Sequence, residues 1–250
     1  MKRSKIVLAL AAVAMVALVV SSANAAVIYS DDFSGSNTDG LNGTTPDVTT
    51  GGATWVAASN YKADGSFTVG NPVNMTLAFT PVDGTVYTLD AQIENVGGSQ
   101  WVQFGFGDGQ GTTSNWTGRA WNLLRAAGDA TNAHSTYGSA FAGAGAWTSL
   151  ATLRYGDDMD VRIVLDTTAA TWTARYYAKA GNVGTYTEVI AGAKDITDET
   201  ITAVGFGTYN SGGNFGKFNS FSLTQVPEPA TMGLLAIGGL ALLRRRRHGA

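Results

Sequence analysis

Between Ala26 and Val226, apolar and polar residues alternate in short runs. In "TVYTLDAQIE", Tyr87, Leu89, Ala91 and Ile93 fall on one side, and Thr88, Asp90, Gln92 and Glu94 fall on the other. A period of two is the mark of a half-buried strand, because successive side chains of an extended backbone point to opposite faces. Val161, Ile163 and Leu165 line up in the same way in "MDVRIVLD", as do Trp172, Ala174 and Tyr176 in "TWTARYYAK". The same reading predicts strands in "AVIYSDDF", "ATWVAA", "SFTV", "NMTLAFT", "WVQFGFG", "RAWNLLRA", "WTSLATLRY", "TYTEVI", "TITAVGFGTY" and "KFNSFSLTQ". Gly, Asn, Asp and Ser clusters such as "GDGQGTTSNWTG" and "YNSGGNFG" separate them and supply turn chemistry. "DATNAHSTYGS" reads as a polar loop. No stretch keeps a long 3.6-residue period, so the expected fold is all-β, an antiparallel β-sandwich.

Both ends of the chain break this pattern. Lys2, Arg3 and Lys5 precede an apolar run from Ile6 to Val20, and Ala23 and Ala25 follow in an A-x-A arrangement. This is the layout of a secretory signal peptide over residues 1–25, helical in its apolar part and cleaved before Ala26. At the other end, Ala230–Leu243 is apolar or small throughout apart from Thr231. As a helix it spans about 21 Å, at about 1.5 Å per residue. That is short of a hydrocarbon core of about 30 Å, and the side chains of Arg244, Arg245, Arg246 and Arg247 extend it by reaching to the headgroups. Their charge keeps that end in the cytoplasm and leaves the rest of the chain outside.

Val226, Pro227, Glu228 and Pro229, then the apolar segment 230–243 and the basic tail 244–250, closely resemble the PEP-CTERM sorting signal. The resemblance implies a membrane peptidase partner, the exosortase, that recognises Pro227-Glu228-Pro229. Arg244 to Arg247 act in it as the stop signal. It implies an exported protein held in the membrane by its C-terminal segment until processed, then left at the cell surface or in the extracellular matrix. A plain single-span anchor is the alternative reading of the same residues.

Composition narrows the middle, residues 26–225, which is long enough for one β-sandwich domain with a proper core. The whole chain carries 16 basic and 19 acidic residues. The two ends take away seven basic residues and one acidic, leaving a net charge near −9. Such a surface excludes nucleic acid as a partner. There is no cysteine, so neither disulfides nor thiol chemistry contribute. His134 is the only histidine between the two ends, too few for a zinc site.

"YSDDFSG" near the start and "VGFGTYNSGGNFGKFNSFSLTQV" at the close look like exported jelly rolls of the concanavalin A-like, laminin-G-like superfamily. That likeness implies that the first and last strands pair. It also admits glycosidases. The laminarinase-like members carry Glu-x-Asp-x-(x)-Glu on one strand, and none of Glu94, Glu188 or Glu199 begins such a pattern. No catalytic residue is therefore assigned. Asp31 and Asp32 resemble positions that hold a structural calcium in some jelly rolls.

Three features carry candidate chemistry. "FGFG" (104–107) and "VGFG" (204–207) put bulky residues on one face and bare glycine on the other, open to a ligand or to a covering loop. Asp157, Asp158 and Asp160 in "YGDDMD" could supply half of a calcium shell or simply form a solvated turn. Trp55 and Trp172 read as core. Trp116, Arg119 and Trp121, with Trp147 near by in "GSAFAGAGAWTS", form a candidate glycan-binding face, because sugars stack on aromatic rings. The competing reading is that the tryptophans cover a sheet edge. The sequence thus points to an exported, non-enzymatic module that binds extracellular polysaccharide or builds matrix. A polysaccharide hydrolase or lyase, or a protein-binding adhesin, is the alternative.

Overall fold

The computed structural model describes residues 25–67, 70–94, 101–109, 117–126, 132–138, 148–154, 158–180, 184–196, 200–210 and 217–227. Val27–Gln225 form one compact unit. Its strands are β1 (Ala26–Asp31), β2 (Val48–Thr49), β3 (Val56–Ala57), β4 (Gly70–Ala78), β5 (Thr85–Ile93), β6 (Trp101–Asp108), β7 (Thr117–Ala126) and β8 (Asn132–Gly138). They continue with β9 (Thr148–Arg154), β10 (Met159–Asp166), β11 (Thr173–Ala180), β12 (Thr187–Glu188), β13 (Lys194–Asp195), β14 (Ala203–Asn210) and β15 (Phe218–Pro227). No helix among the described residues is long and apolar enough to cross a membrane.

The strands form two antiparallel sheets. An eight-stranded sheet runs β12-β11-β10-β5-β15-β1-β2, with β13 also on β11, and a seven-stranded sheet runs β3-β4-β14-β6-β7-β8-β9. The first and last strands, β1 and β15, lie side by side, as the jelly-roll resemblance implies.

Alternation decides which side chains meet between the sheets. On β5, Tyr87, Leu89, Ala91 and Ile93 are buried, and across the register Ile163 stands opposite Leu89 and Val161 opposite Ala91. From the other sheet come Met75, Leu77, Phe104, Phe106, Val204 and Phe206. Phe206 of β14 meets Phe218 of β15 with ring centroids 4.2 Å apart, and Phe79 bridges Tyr87 and Phe106 at 5.1 and 5.6 Å. Trp55 and Trp172 belong to this core.

Two local expectations are corrected. The segment around His134 is not a loop but strand β8, paired with β7 on one side and β9 on the other. Its sequence lacks an apolar alternation, and two neighbouring strands supply the backbone partners that hold it extended. Tryptophan 121 does not cover a sheet edge, because β7 lies inside the sheet between β6 and β8.

The two glycine repeats lie in register. Gly205 pairs with Gly105 on one side and with Thr76 on the other. Both glycines have positive φ (159° and 146°), in a region closed to residues with a Cβ. A methyl at Gly105 would strike the Ala120 carbonyl and come within 2.6 Å of the Trp121 Cα. At Gly205 it would strike the Met75 carbonyl and come within 2.8 Å of the Thr76 Cα. Gly105→Ala and Gly205→Ala are each expected to lower unfolding stability by about 2–4 kcal/mol, read from urea midpoints. A loss below about 0.5 kcal/mol at either site would show that the strip tolerates a Cβ.

Candidate functional site

The register defines the outer face of the seven-stranded sheet, the side turned away from the inter-sheet core. Because Phe206 points inward, its neighbours Gly205 and Gly207 point outward, and so do the residues opposite them. One row across the sheet is therefore Thr76, Gly205, Gly105 and Trp121; the next is Asn74, Gly207 and Gln103. Trp121 is buried, at 1% exposure, yet stands outside the core cluster that contains its neighbour Ala120. Thr76, Asn74 and Gln103 are likewise buried.

Glycine gives this face its shape. Where a Cβ would stand on Gly207, Asn74 Oδ1 lies at 2.6 Å and Gln103 Nε2 at 2.8 Å, so the two amide ends converge over bare backbone. In the next row, Thr76 and Trp121 flank the Gly205–Gly105 pair. The Thr76 Oγ1 and the Trp121 Nε1 are buried without a hydrogen-bond partner. Buried polar groups are nearly always paired, since leaving one unmet costs about 1–3 kcal/mol. Two such groups on one row, on either side of a glycine strip, mark a face with hydrogen-bonding capacity to offer.

Arg119 stands apart from Trp121 in a way that alternation does not show. A bulge interrupts β7, with Ala120 opposite Phe106 but Gly118 opposite Gly107, so Arg119 is the extra residue. Its Nη2 turns to Asp108 Oδ2 at 2.8 Å. The expected common face of Arg119 and Trp121 is thus broken at Arg119. Trp116 and Trp147 lie outside the described residues.

The aspartates separate into two groups. Asp157 lies outside the described residues, Asp158 is exposed, and Asp160 is buried on β10. There Asp160 accepts from Lys179 Nζ at 2.9 Å and from Gln92 Nε2 at 3.0 Å. Beside it, Arg162 holds both oxygens of Asp90 at 2.7 and 3.0 Å. Its guanidinium lies 4.1 Å over the Tyr186 ring, and the Tyr186 hydroxyl donates to Asp90 at 3.2 Å. Burial and the Asp90 charge raise the Tyr186 pKa, so the phenol stays protonated and donates. This network fastens the segment before β12 onto the outer side of the eight-stranded sheet.

Folding brings Asp31 and Asp32 together with Asp47, which sequence spacing did not reveal; their carboxylate oxygens lie within 4.8 Å of one another. Calcium takes oxygen donors of this kind. Here, however, backbone and indole N–H groups already engage the carboxylates. Asp31 accepts from Phe33 N at 2.8 Å and from Trp55 Nε1 at 2.7 Å. Asp32 accepts from Ser34 N at 3.0 Å, and Asp47 accepts from Asp32 N at 2.9 Å. The Asp31 contact steadies Phe33 at φ 50°, a conformation uncommon outside glycine, with its ring 5.8 Å from Trp55 and 6.5 Å from Phe218. These contacts brace the turn after β1.

At the ends, Ala25 is exposed ahead of β1, and Val226 and Pro227 complete β15. Ala23, Glu228, Pro229, the segment 230–243 and Arg244 to Arg247 lie outside the described residues.

Residues 225–247 match the PEP-CTERM protein-sorting motif. That motif implies export and C-terminal membrane anchoring before processing. No curated protein matches the chain. Among solved structures, the chain is similar to peanut lectin with a 9mer peptide, at 12% identity and a TM-score of 0.46, over 82% of this chain and 98% of that one. It is also similar to lectin I from Ulex europaeus in complex with the methyl glycoside of α-L-fucose, at 10% identity and a TM-score of 0.44, over 82% and 99%. A third is xylan β-1,4-xylosidase from Bacillus halodurans C-125, at 10% identity and a TM-score of 0.43, over 78% of this chain and 38% of that one. The chain thus carries a PEP-CTERM protein-sorting motif at its C-terminal end, and its described part is an all-β antiparallel sandwich.

Burial pushes the Asp31 carboxyl up from its ordinary value of 3.8, against the pull of its Trp55 and Phe33 hydrogen bonds. A raised folded pKa means that the folded state holds the proton more tightly. The resulting stability is fully present below the unfolded value and is lost as pH rises through the folded one. The stability advantage of the wild type over Asp31→Asn should therefore shrink between about pH 3 and about pH 7, as followed by urea unfolding. An advantage that grows over that range would contradict the assignment.

Proposed function

We propose that the protein is an exported, non-catalytic glycan-binding module, sorted to the envelope or extracellular matrix by exosortase processing of its tail. Its binding site is the outer face of the seven-stranded sheet around Trp121. The observation that carries this reading is the pair of buried, unpartnered polar atoms, Thr76 Oγ1 and Trp121 Nε1, on either side of the Gly205–Gly105 strip.

The chemistry of the two rows suits neutral hydroxyls. An indole N–H, a threonine hydroxyl and the amides of Asn74 and Gln103 offer donors and acceptors without net charge. Retaining hydrolysis needs two carboxylates roughly 5 Å apart, and these rows carry none. The nearby Asp108 is paired with Arg119. A net charge near −9 between the two ends disfavours polyanionic chains. Because Thr76 and Trp121 are closed to solvent, a glycan gains them only when part of the chain moves aside, which slows association.

Purified protein is expected to be retained on neutral polysaccharides, with little dependence on salt, and to release no reducing ends. Thr76→Val and Trp121→Phe each remove one polar atom and should weaken retention by about tenfold, the equivalent of one hydrogen bond of about 1.4 kcal/mol. Without glycan, Thr76→Val should raise stability by about 1 kcal/mol, since it removes an unmet buried hydroxyl while keeping the shape. Retention unchanged in both variants would move the site elsewhere. New reducing ends would replace binding with hydrolysis.

A further inference from the structure

We infer that the end of the sandwich from which the chain departs at Gln225 rests against a lipid surface while the sorting segment is anchored. The inference depends on the reading that residues 230–243 insert in the membrane. It is independent of where glycan binds.

Among the described residues, the large apolar side chains that stand exposed are Val27 at 45%, Val48 at 43% and Val82 at 65%. Val82 and Ile28, the neighbour of Val27, lie with Gln225 at one end of the sandwich, while the register sets Val48 farther along β1, opposite Ser30. A pocket of about 310 Å³ opens at that end, with Ile28, Tyr29, Phe79, Val82 and Tyr87 in its walls and Gln225 beside them. The topology explains the placement. Antiparallel β1 and β15 place the start of one beside the end of the other. Thr50 N binds Ile28 O at 3.0 Å, which brings the residue after β2 to this end. Val82 is tied in by its backbone N–H, which donates to the Tyr87 hydroxyl at 2.8 Å.

Chain length supplies the occupant. Only Val226 to Pro229 separate Gln225 from Ala230, the first residue of the apolar segment. The five steps from Gln225 to Ala230 reach at most about 18 Å, and two of the four residues between them are prolines. An inserted segment therefore holds this end of the sandwich within about 18 Å of the lipid headgroups, with its exposed valines and apolar pocket the large apolar groups that the described residues present there. Charge does not drive the contact, because Asp47 and Asp83 adjoin Val48 and Val82 and repel anionic lipid. The attraction is apolar, and the short leash raises its effective concentration to the millimolar range or above. A patch too small to hold a free protein suffices for a tethered one. Cutting the tail removes the tether and with it the contact, so processing releases the whole domain.

The chain has no cysteine, so single cysteines take a fluorophore cleanly. The full-length protein is reconstituted in phosphatidylcholine vesicles that contain spin-labelled lipid, with the label at Val82→Cys, at Leu235→Cys inside the segment, or at Ser36→Cys. Ser36 is exposed near Ala63, by the start of β15 and so far from Gln225. The expected result is strong quenching at 235, quenching at 82 about threefold above that at 36, and no loss in high salt. Adding Val27→Ser to the Val82→Cys chain should reduce the signal at 82. Quenching at 235 with 82 no higher than 36 would overturn this inference and leave insertion standing. No quenching at 235 would overturn both. Protection of 82 by a second copy or by the peptidase, without lipid quenching, would overturn the lipid assignment.

Discussion

Phe206 and Phe218 stand on different sheets with their ring centroids 4.2 Å apart. Around them close Phe33, Tyr61, Phe67 and Phe221, and Trp55 meets Phe221 edge-on at 5.3 Å. Each fully buried aromatic or aliphatic side chain contributes about 1.5–3 kcal/mol through lost water contact. With no cysteine in the chain, no disulfide can substitute for this packing. The aromatic knot also sets direction. Once Phe206 must point inward, period-two geometry forces Gly205 and Gly207 outward, and the register carries that choice across β4, β6 and β7. The outer face with Thr76, Trp121, Asn74 and Gln103 is thus a consequence of where one phenylalanine packs.

The two faces outside the core are handled differently. On the eight-stranded sheet, polar side chains are matched with one another: Asp90 with Arg162 and Tyr186, Asp160 with Lys179 and Gln92. On the seven-stranded sheet, the Thr76 hydroxyl and the Trp121 indole flank a glycine pair and stay unmet. The first arrangement stabilises the fold and leaves little for a partner. The second is costly to the fold alone, and costs of that kind concentrate where proteins bind. The proposed site rests on this contrast.

Much of the fold was legible in the letters. Tyr87, Leu89 and Ile93 announced their buried face, Trp55 and Trp172 read as core, and the pairing of the first and last strands followed from the jelly-roll resemblance. Strand β8 was missed because its stability comes from β7 and β9 rather than from its own alternation. Asp47 was missed as a companion of Asp31 and Asp32 because fifteen or so residues of loop, whose closure has no periodicity, bring it back to β1. Arg119 was placed on the face of Trp121 because a bulge leaves no mark in the pattern of polar and apolar residues.

By itself, the sequence determined what depends on local chemistry: the strand period, the lack of cysteine, and the Pro-Glu-Pro, apolar and arginine order of the sorting tail. Each is read along the chain, and none needs a distant residue. Only the tertiary structure decided which polar groups are matched and which are not. Thr76, Gly205, Gly105 and Trp121 come from four strands up to about 130 residues apart, and they form a row because antiparallel register is set by the packing of both sheets. Whether a buried hydroxyl or indole finds a partner depends on those long-range neighbours, and no local pattern encodes them.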